Sequence, residues 1–237
     1  MSFGLGNGRT IDIGTHGVVA DALPALPADV SANPRSGWLD PRAWFPDPSR
    51  RFELEIGSGK GTFLLQQSAL EPTTNFLGIE WAKEFFAYAA DRARRRGVEN
   101  VRLLHADATQ FVRWRLPDEI ISVIHLYFSD PWPKSRHHKR RVLQDSFLEQ
   151  AWRVLTPGGE LRIVTDHADY WLWMEEHFAR WTAPAAAPHN KTPAPFERLP
   201  FERPTSAGDG EVVGTNFERK YAREGRPFNA TILRKQG

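Results

Sequence analysis

The residues whose spacing carries the most chemistry are four acids, each following an apolar, strand-like run. Glu55 lies in Leu54-Glu55-Ile56-Gly57-Ser58-Gly59-Lys60-Gly61, where a strand gives way to a glycine turn. Glu80 closes the run Asn75-Phe76-Leu77-Gly78-Ile79-Glu80, 23 residues after Gly57. Asp107 follows a third run, and Asp130 follows a fourth that is apolar nearly throughout, residues 119–128. Glycines at a strand end let the backbone turn sharply and approach a ligand closely. The turn is no P-loop: the first required glycine falls on Leu54, and Gly61 stands where Ser or Thr belongs. It is no dinucleotide fingerprint either, because Thr62 holds the place of the third glycine. What remains is E-x-G-x-G-x-G, with an acid in the strand itself.

A carboxylate there repels a pyrophosphate and attracts a positive ligand. S-adenosylmethionine carries an ammonium and a sulfonium, so Glu55, Gly57 and Gly59 are expected at its methionine end. Glu80 stands where an acid accepts from ribose hydroxyls in adenine-nucleoside-binding sheets. Asp107 is expected near an adenine amine. Asp130 is followed by Pro131, Trp132 and Pro133, and two fixed φ angles stiffen that loop beside the transferred methyl group.

These acids need a sheet to bring them together. Strand-like segments (51–57, 75–80, 100–106, 119–128, 160–165) alternate with helix-like ones (61–70, 81–96, a short one after Asp107, 140–155, 168–181). That alternation predicts βαβ units and a mostly parallel α/β sheet with helices on both faces. Residues 1–50 hold six Pro and six Gly and predict an irregular N-terminal arm before a domain spanning 51–237. Segment 182–210 reads as a Pro-rich connection. Residues 211–221 and 227–235 are expected as an antiparallel closing strand pair.

Composition removes whole classes of chemistry. The 237 residues include no cysteine, so disulfides, Cys-based metal sites and a thiol nucleophile for pyrimidine C5 are excluded. No apolar run approaches the roughly 20 residues of a membrane helix, and no secretory signal is recognisable at the N-terminus. A cytoplasmic location is the expectation. The net charge is only +2, but it is unevenly spread. Lys134–Arg141 (KSRHHKRR), Asp91–Arg96 (DRARRR) and the stretch from Thr215 onward are locally basic. Basic patches on a near-neutral body suit a polyanion, although each run also reads as a solvated helix face. Adjacent His137 and His138 point apart, so no metal is expected. Trp171 and Trp173 read as packing. Trp132 is open between packing and a base pocket, and His105 and His125 read as core or rim residues.

An acceptor that needs no deprotonation fits this set. Guanine N7 has a free lone pair on an exposed edge beside O6. Alignment of N7, methyl and sulfur, with an anchored carboxylate for the developing charge, would suffice. The string FSDPWPKSRHHKRR, with LEIGSGKG, FLGIE, HADA, VTD at 164–166 and TNFERKY, resembles the bacterial tRNA (guanine-N7)-methyltransferase family. The resemblance covers residues 51–237 apart from 182–210. It implies a Rossmann-like class I methyltransferase fold, S-adenosylmethionine as cofactor and methylation of guanine 46 in the tRNA variable loop. By resemblance, Glu55, Glu80, Asp107 and Asp130 contact the cofactor, and Asp130 lies closest to the chemistry. Lys134, Asp166, Thr215, Asn216, Phe217 and Glu218 contact the tRNA. The expected partner is tRNA, with no membrane and no metal, and a monomer or homodimer is expected. A methyltransferase acting on an exocyclic amine of a base or protein side chain is the alternative, prompted by Asp130-Pro131-Trp132. A non-catalytic RNA-binding module has no need of the acid set, and an NAD-dependent oxidoreductase is disfavoured by the early third glycine.

Overall fold

The computed structural model describes residues 10–183 and 195–236. Five parallel strands form the centre of the sheet: β2 (Arg51–Ile56), β3 (Thr74–Glu80), β4 (Val101–His105), β5 (Ile121–Tyr127) and β6 (Leu155–Thr165). Helices α1 (Thr62–Leu70), α2 (Lys83–Arg95), α3 (Ala108–Trp114), α4 (Asp145–Val154) and α5 (Ala168–Thr182) alternate with them or follow them. With β1 (Gly17–Val19), β7 (Phe196–Leu199) and β8 (Asn229–Lys235), the eight-stranded order is β1-β4-β3-β2-β5-β6-β8-β7. Among the described residues, only β7 and β8 add antiparallel pairings.

Alternation along the strands divides two apolar layers. Leu77, Ile79 and Leu104 pack in one core with Phe111, Leu148 and Phe178 of α3, α4 and α5. Phe76 and Leu103 pack on the opposite side with Phe63, Leu64 and Phe86 of α1 and α2. A sheet covered on both faces explains why β3 reads as a near-continuous apolar run. The strand order reverses between β2 and β5, which are adjacent in the sheet. A crevice opens outside the carboxyl ends of the strands at such a switch point.

Three expectations are corrected. The arm is not wholly irregular: from Thr10 it carries short 3-10 turns, and Gly17–Val19 pairs in parallel with β4 as an edge strand. It is held down by Arg115, which donates to the carbonyl of Pro24 and accepts from Leu39 N–H at 2.7 Å through its own carbonyl. The antiparallel closing pair exists but is built from other residues. Its first strand, Phe196–Leu199, lies in the segment read as a connection, of which 184–194 fall outside the described residues. The expected strand over 211–221 is instead the loop before helix α6 (Asn216–Arg223) and most of that helix. Thr215 caps it by accepting from Glu218 N–H, a Thr-x-x-Glu start signal that the apolar residues nearby obscured. Finally, α4 starts at Asp145 rather than 140, and Ser135–Arg140 is a 3-10 turn.

Candidate active site

The glycine turn after β2 sits at the switch point. Gly57, Gly59 and Gly61 take φ values of 75°, 53° and 67°, a region that disfavours side chains. A Cβ on Gly61 would stand 3.0 Å from Ala89 Cβ in α2, so the turn also needs that glycine for close packing. Arg92 from α2 donates to the Lys60 carbonyl at 2.6 Å. Arg94 and Arg95 pair with the buried Asp91. The Asp91–Arg96 run therefore engages three of its arginines in contacts within the fold.

Glu80 orients the turn from the neighbouring strand. Its carboxylate accepts from Gly59 N–H at 2.7 Å and Ala82 N–H at 2.8 Å. Glu55 lies on β2 and is 4% exposed, with Oε2 left without a hydrogen-bond partner. Burial, and then the Glu80 charge, push its carboxyl well above the usual carboxylate range. Asp107 caps α3: its Oδ1 accepts from Thr109 N–H at 2.8 Å, Gln110 N–H at 3.1 Å and Thr109 Oγ1–H at 2.6 Å. The same residue is thus a helix cap as well as the third strand-end acid.

Asp130 is exposed in the loop after β5. Two residues on either side, Phe128 and Trp132, are non-glycine positions at φ 53° and 43°. Such conformations cost about 1–3 kcal/mol each and persist only where surroundings enforce them. The enforcement is visible. Phe128 N–H donates to Val164 at 2.8 Å, and its ring packs on Phe228 at 5.5 Å. Trp132 lies between Arg140 (5.0 Å) and His137 (5.8 Å). Buried Arg141 donates to the Pro131 carbonyl at 2.8 Å and lies over the rings of Tyr170 and Trp173. Arg141 therefore belongs to the scaffold, whereas Lys134, Arg136, Lys139 and Arg140 are exposed. His138 packs on Trp173.

Helix α6 closes the constellation. Asn216 donates to Thr62 Oγ1 at 2.9 Å, and the half-exposed Phe217 comes within 3.7 Å of a Cβ built on Gly59. Glu218 is 2% exposed, and its carboxylate accepts from Val212, Val213 and Gly214 N–H groups. It holds the loop that launches α6 and does not face outward. Asp166, at the end of β6, accepts from Arg226 at 2.7 Å. The structure therefore gathers Glu55, Gly57, Gly59 and Glu80 at one turn, with Asn216 and Phe217 over it. Asp130 and Asp166 follow the next two strands, β5 and β6, and both charges act on Tyr221. Tyr221 was not singled out because residues 211–221 read as a strand, and Arg226 because its partner Asp166 is 60 positions away. The capping signal at Thr215 would have found the helix that carries Tyr221.

A separate cavity of about 240 Å³ lies around Arg51, Glu53, Gln67 and His125. Its charges are already paired, Glu53 with Arg51 at 2.8 Å and with His125 at 2.9 Å.

Comparison with known proteins is consistent with this geometry. A family model described as "Putative methyltransferase" matches residues 49–227. The tRNA (guanine-N(7)-)-methyltransferase of Nitrobacter hamburgensis is 35% identical over 230 residues, covering 94% of this chain and 82% of that protein. The chain belongs to the tRNA (guanine-N7)-methyltransferase family. The family member of Agrobacterium fabrum is 34% identical over 229 residues, covering 94% of this chain and 90% of its own. The fold of this family member is also that of more distant methyltransferases. The aminoglycoside resistance methyltransferase NpmB1 superposes with a TM-score of 0.53 at 17% identity, over 92% of this chain and 98% of its own. TrmN from Thermus thermophilus gives 0.51 at 18% identity, over 79% and 45%.

Proposed function

We propose that this protein transfers the methyl group of S-adenosylmethionine to N7 of a guanine in tRNA, guanine 46 of the variable loop. One observation carries the cofactor assignment: Glu55 Oε2 is buried without a partner at the glycine turn of the switch point. An unpaired buried carboxylate is costly, and a cationic ligand group would satisfy it. The names of the relatives at 34–35% identity support the substrate.

The cofactor supplies an activated methyl group on a sulfonium. Glu55 would hold its ammonium. Gly57 and Gly59 leave room for close backbone approach, and Glu80 is oriented by two amides before any ribose hydroxyl arrives. Asp107 would lie at the adenine side. Asp130, fixed by its strained loop, would lie beside the transferred methyl group, where its carboxylate would offset the positive charge that develops on the base. A rigid carboxylate stabilises that charge without reorganising. Exposed Lys134, in the loop after Asp130, and Asn216 and Phe217 of α6, over the glycine turn, would meet the tRNA, while Asp166, Thr215 and Glu218 would support that binding through the fold. No general base is required, since N7 bears no proton.

Incubation with radiolabelled S-adenosylmethionine and unmodified tRNA, followed by reductive chain cleavage, tests this. Cleavage at one guanine of the variable loop is expected. Label in tRNA without cleavage would instead indicate an exocyclic amine.

A further inference from the structure

Tyr221 is placed by α6 against the strand ends that carry Asp130 and Asp166. Its ring is fixed from several sides. Arg226 lies 4.2 Å over it, Lys220 is 5.3 Å away, and Phe128 and Phe217 are each 6.2 Å away. The backbone holds it as well, since the Tyr221 carbonyl accepts from Glu224 and Arg226 N–H groups at 3.1 Å. Burial, then the Asp166 charge, with smaller contributions from Glu224 and Asp130 opposed by Arg226, keeps the phenol protonated above its ordinary range. The result is a packed, neutral phenol on which the Asp166 and Asp130 charges both act.

The acceptor edge of guanine requires such a donor. N7 and O6 are neighbouring acceptors, whereas adenine carries an amino donor where guanine has O6. Asp130 and Asp166 alone would repel O6. Arg226 is committed elsewhere, 2.7 Å from Asp166 and 2.7 Å from Glu224, with its guanidinium over the tyrosine ring.

We infer that Tyr221 is a specificity-determining residue whose hydroxyl donates to guanine O6 while N7 is methylated, and that the Arg226–Asp166 pair holds its ring in place. This rests on the proposed N7 methylation. A site built to hydrogen-bond a substrate group rejects an analogue lacking it far more strongly than an apolar pocket does.

The test compares the parent with Tyr221→Phe on two tRNA transcripts, one with guanine and one with 2,6-diaminopurine at the target. The second transcript replaces O6 by an amine and keeps N7. Single-turnover rates are read, with cofactor affinity and melting temperature as controls. Tyr221→Phe is expected to slow guanine methylation by about 10–100-fold and to narrow the preference over 2,6-diaminopurine by a similar factor, with cofactor affinity unchanged. An equal loss on both transcripts, or no loss, overturns the assignment. If Tyr221→Phe melts below the assay temperature, the parent decides on its own: a clear preference for guanine over 2,6-diaminopurine supports a donor to O6, and equal rates on the two transcripts overturn it. A parent enzyme that forms no 7-methylguanine refutes the methylation itself, a result distinct from an unchanged Tyr221→Phe variant.

Discussion

Gly59 donates its backbone N–H to Oε2 of Glu80 at 2.7 Å, joining the turn after β2 to the acid that ends β3. Ala82 donates to the other oxygen at 2.8 Å. Glu80 therefore shapes the glycine turn as well as standing beside it. Under the proposed function, local structure and ligand chemistry would meet in one carboxylate, and a substitution there should act on both.

Glu80→Ala removes the acceptor of both amides. Each bond to a charged group contributes about 1.5–3 kcal/mol. S-adenosylmethionine affinity should fall at least about tenfold, and the melting temperature should drop. Calorimetry on folded protein checks it. Parental affinity in the variant would remove Glu80 from the cofactor site.

Glu55 should behave in the opposite way toward stability. Burial and the Glu80 charge raise its pKa. A raised carboxyl pKa means that the folded state binds the proton more tightly than the unfolded one. Its contribution is fully present below the ordinary carboxylate range and is lost as pH rises through the folded value. Glu55→Gln should therefore melt higher than the parent, with the gap widening as pH increases. Cofactor affinity should be weakened in Glu55→Gln and should lose the increase with pH expected of the parent. Melting curves and calorimetry across pH read both. A variant that binds like the parent at every pH would sink the ammonium contact.

Asp130→Asn keeps the shape of the loop and loses the charge. Turnover should fall by about 10²–10³, with tRNA affinity little changed. Single-turnover kinetics at saturating tRNA separate the two. Near-parental turnover would leave Asp130 as a loop residue only.

The basic stretch should split into two classes. Arg141→Lys loses a planar guanidinium that stacks on Tyr170 and Trp173 and grips Pro131, so it should lower the melting temperature and turnover together. Lys134→Ala/Arg136→Ala should leave melting unchanged and flatten the salt dependence of tRNA binding. The log–log slope should shrink by about 0.7–0.9 for each phosphate that is no longer neutralised. An unchanged slope would make those side chains a solvated face.

The central strands, the alternating helices and the four strand-end acids were legible in the chain because they are local. Period, apolar runs and glycine spacing are properties of neighbouring residues. The family strings carried the class I methyltransferase fold for the same reason. What depended on distant partners was not legible. Gly17–Val19 is a strand only because β4 offers it an edge, and Phe196–Leu199 only because β8 does. Residues 211–221 carry enough apolar and aromatic side chains to pass for a strand. The buried Glu218 carboxylate, closed on three amides, makes the first part a loop and the rest a helix over the glycine turn. The arginines look alike in sequence. Arg141 is scaffold because Tyr170, Trp173 and the Pro131 carbonyl surround it, while Arg136 is exposed. The pairing of Arg226 with Asp166 spans 60 positions. Only packing brings such groups within hydrogen-bonding range, and it is there that the loop of Asp130, the ring of Tyr221 and the burial of Glu55 are set.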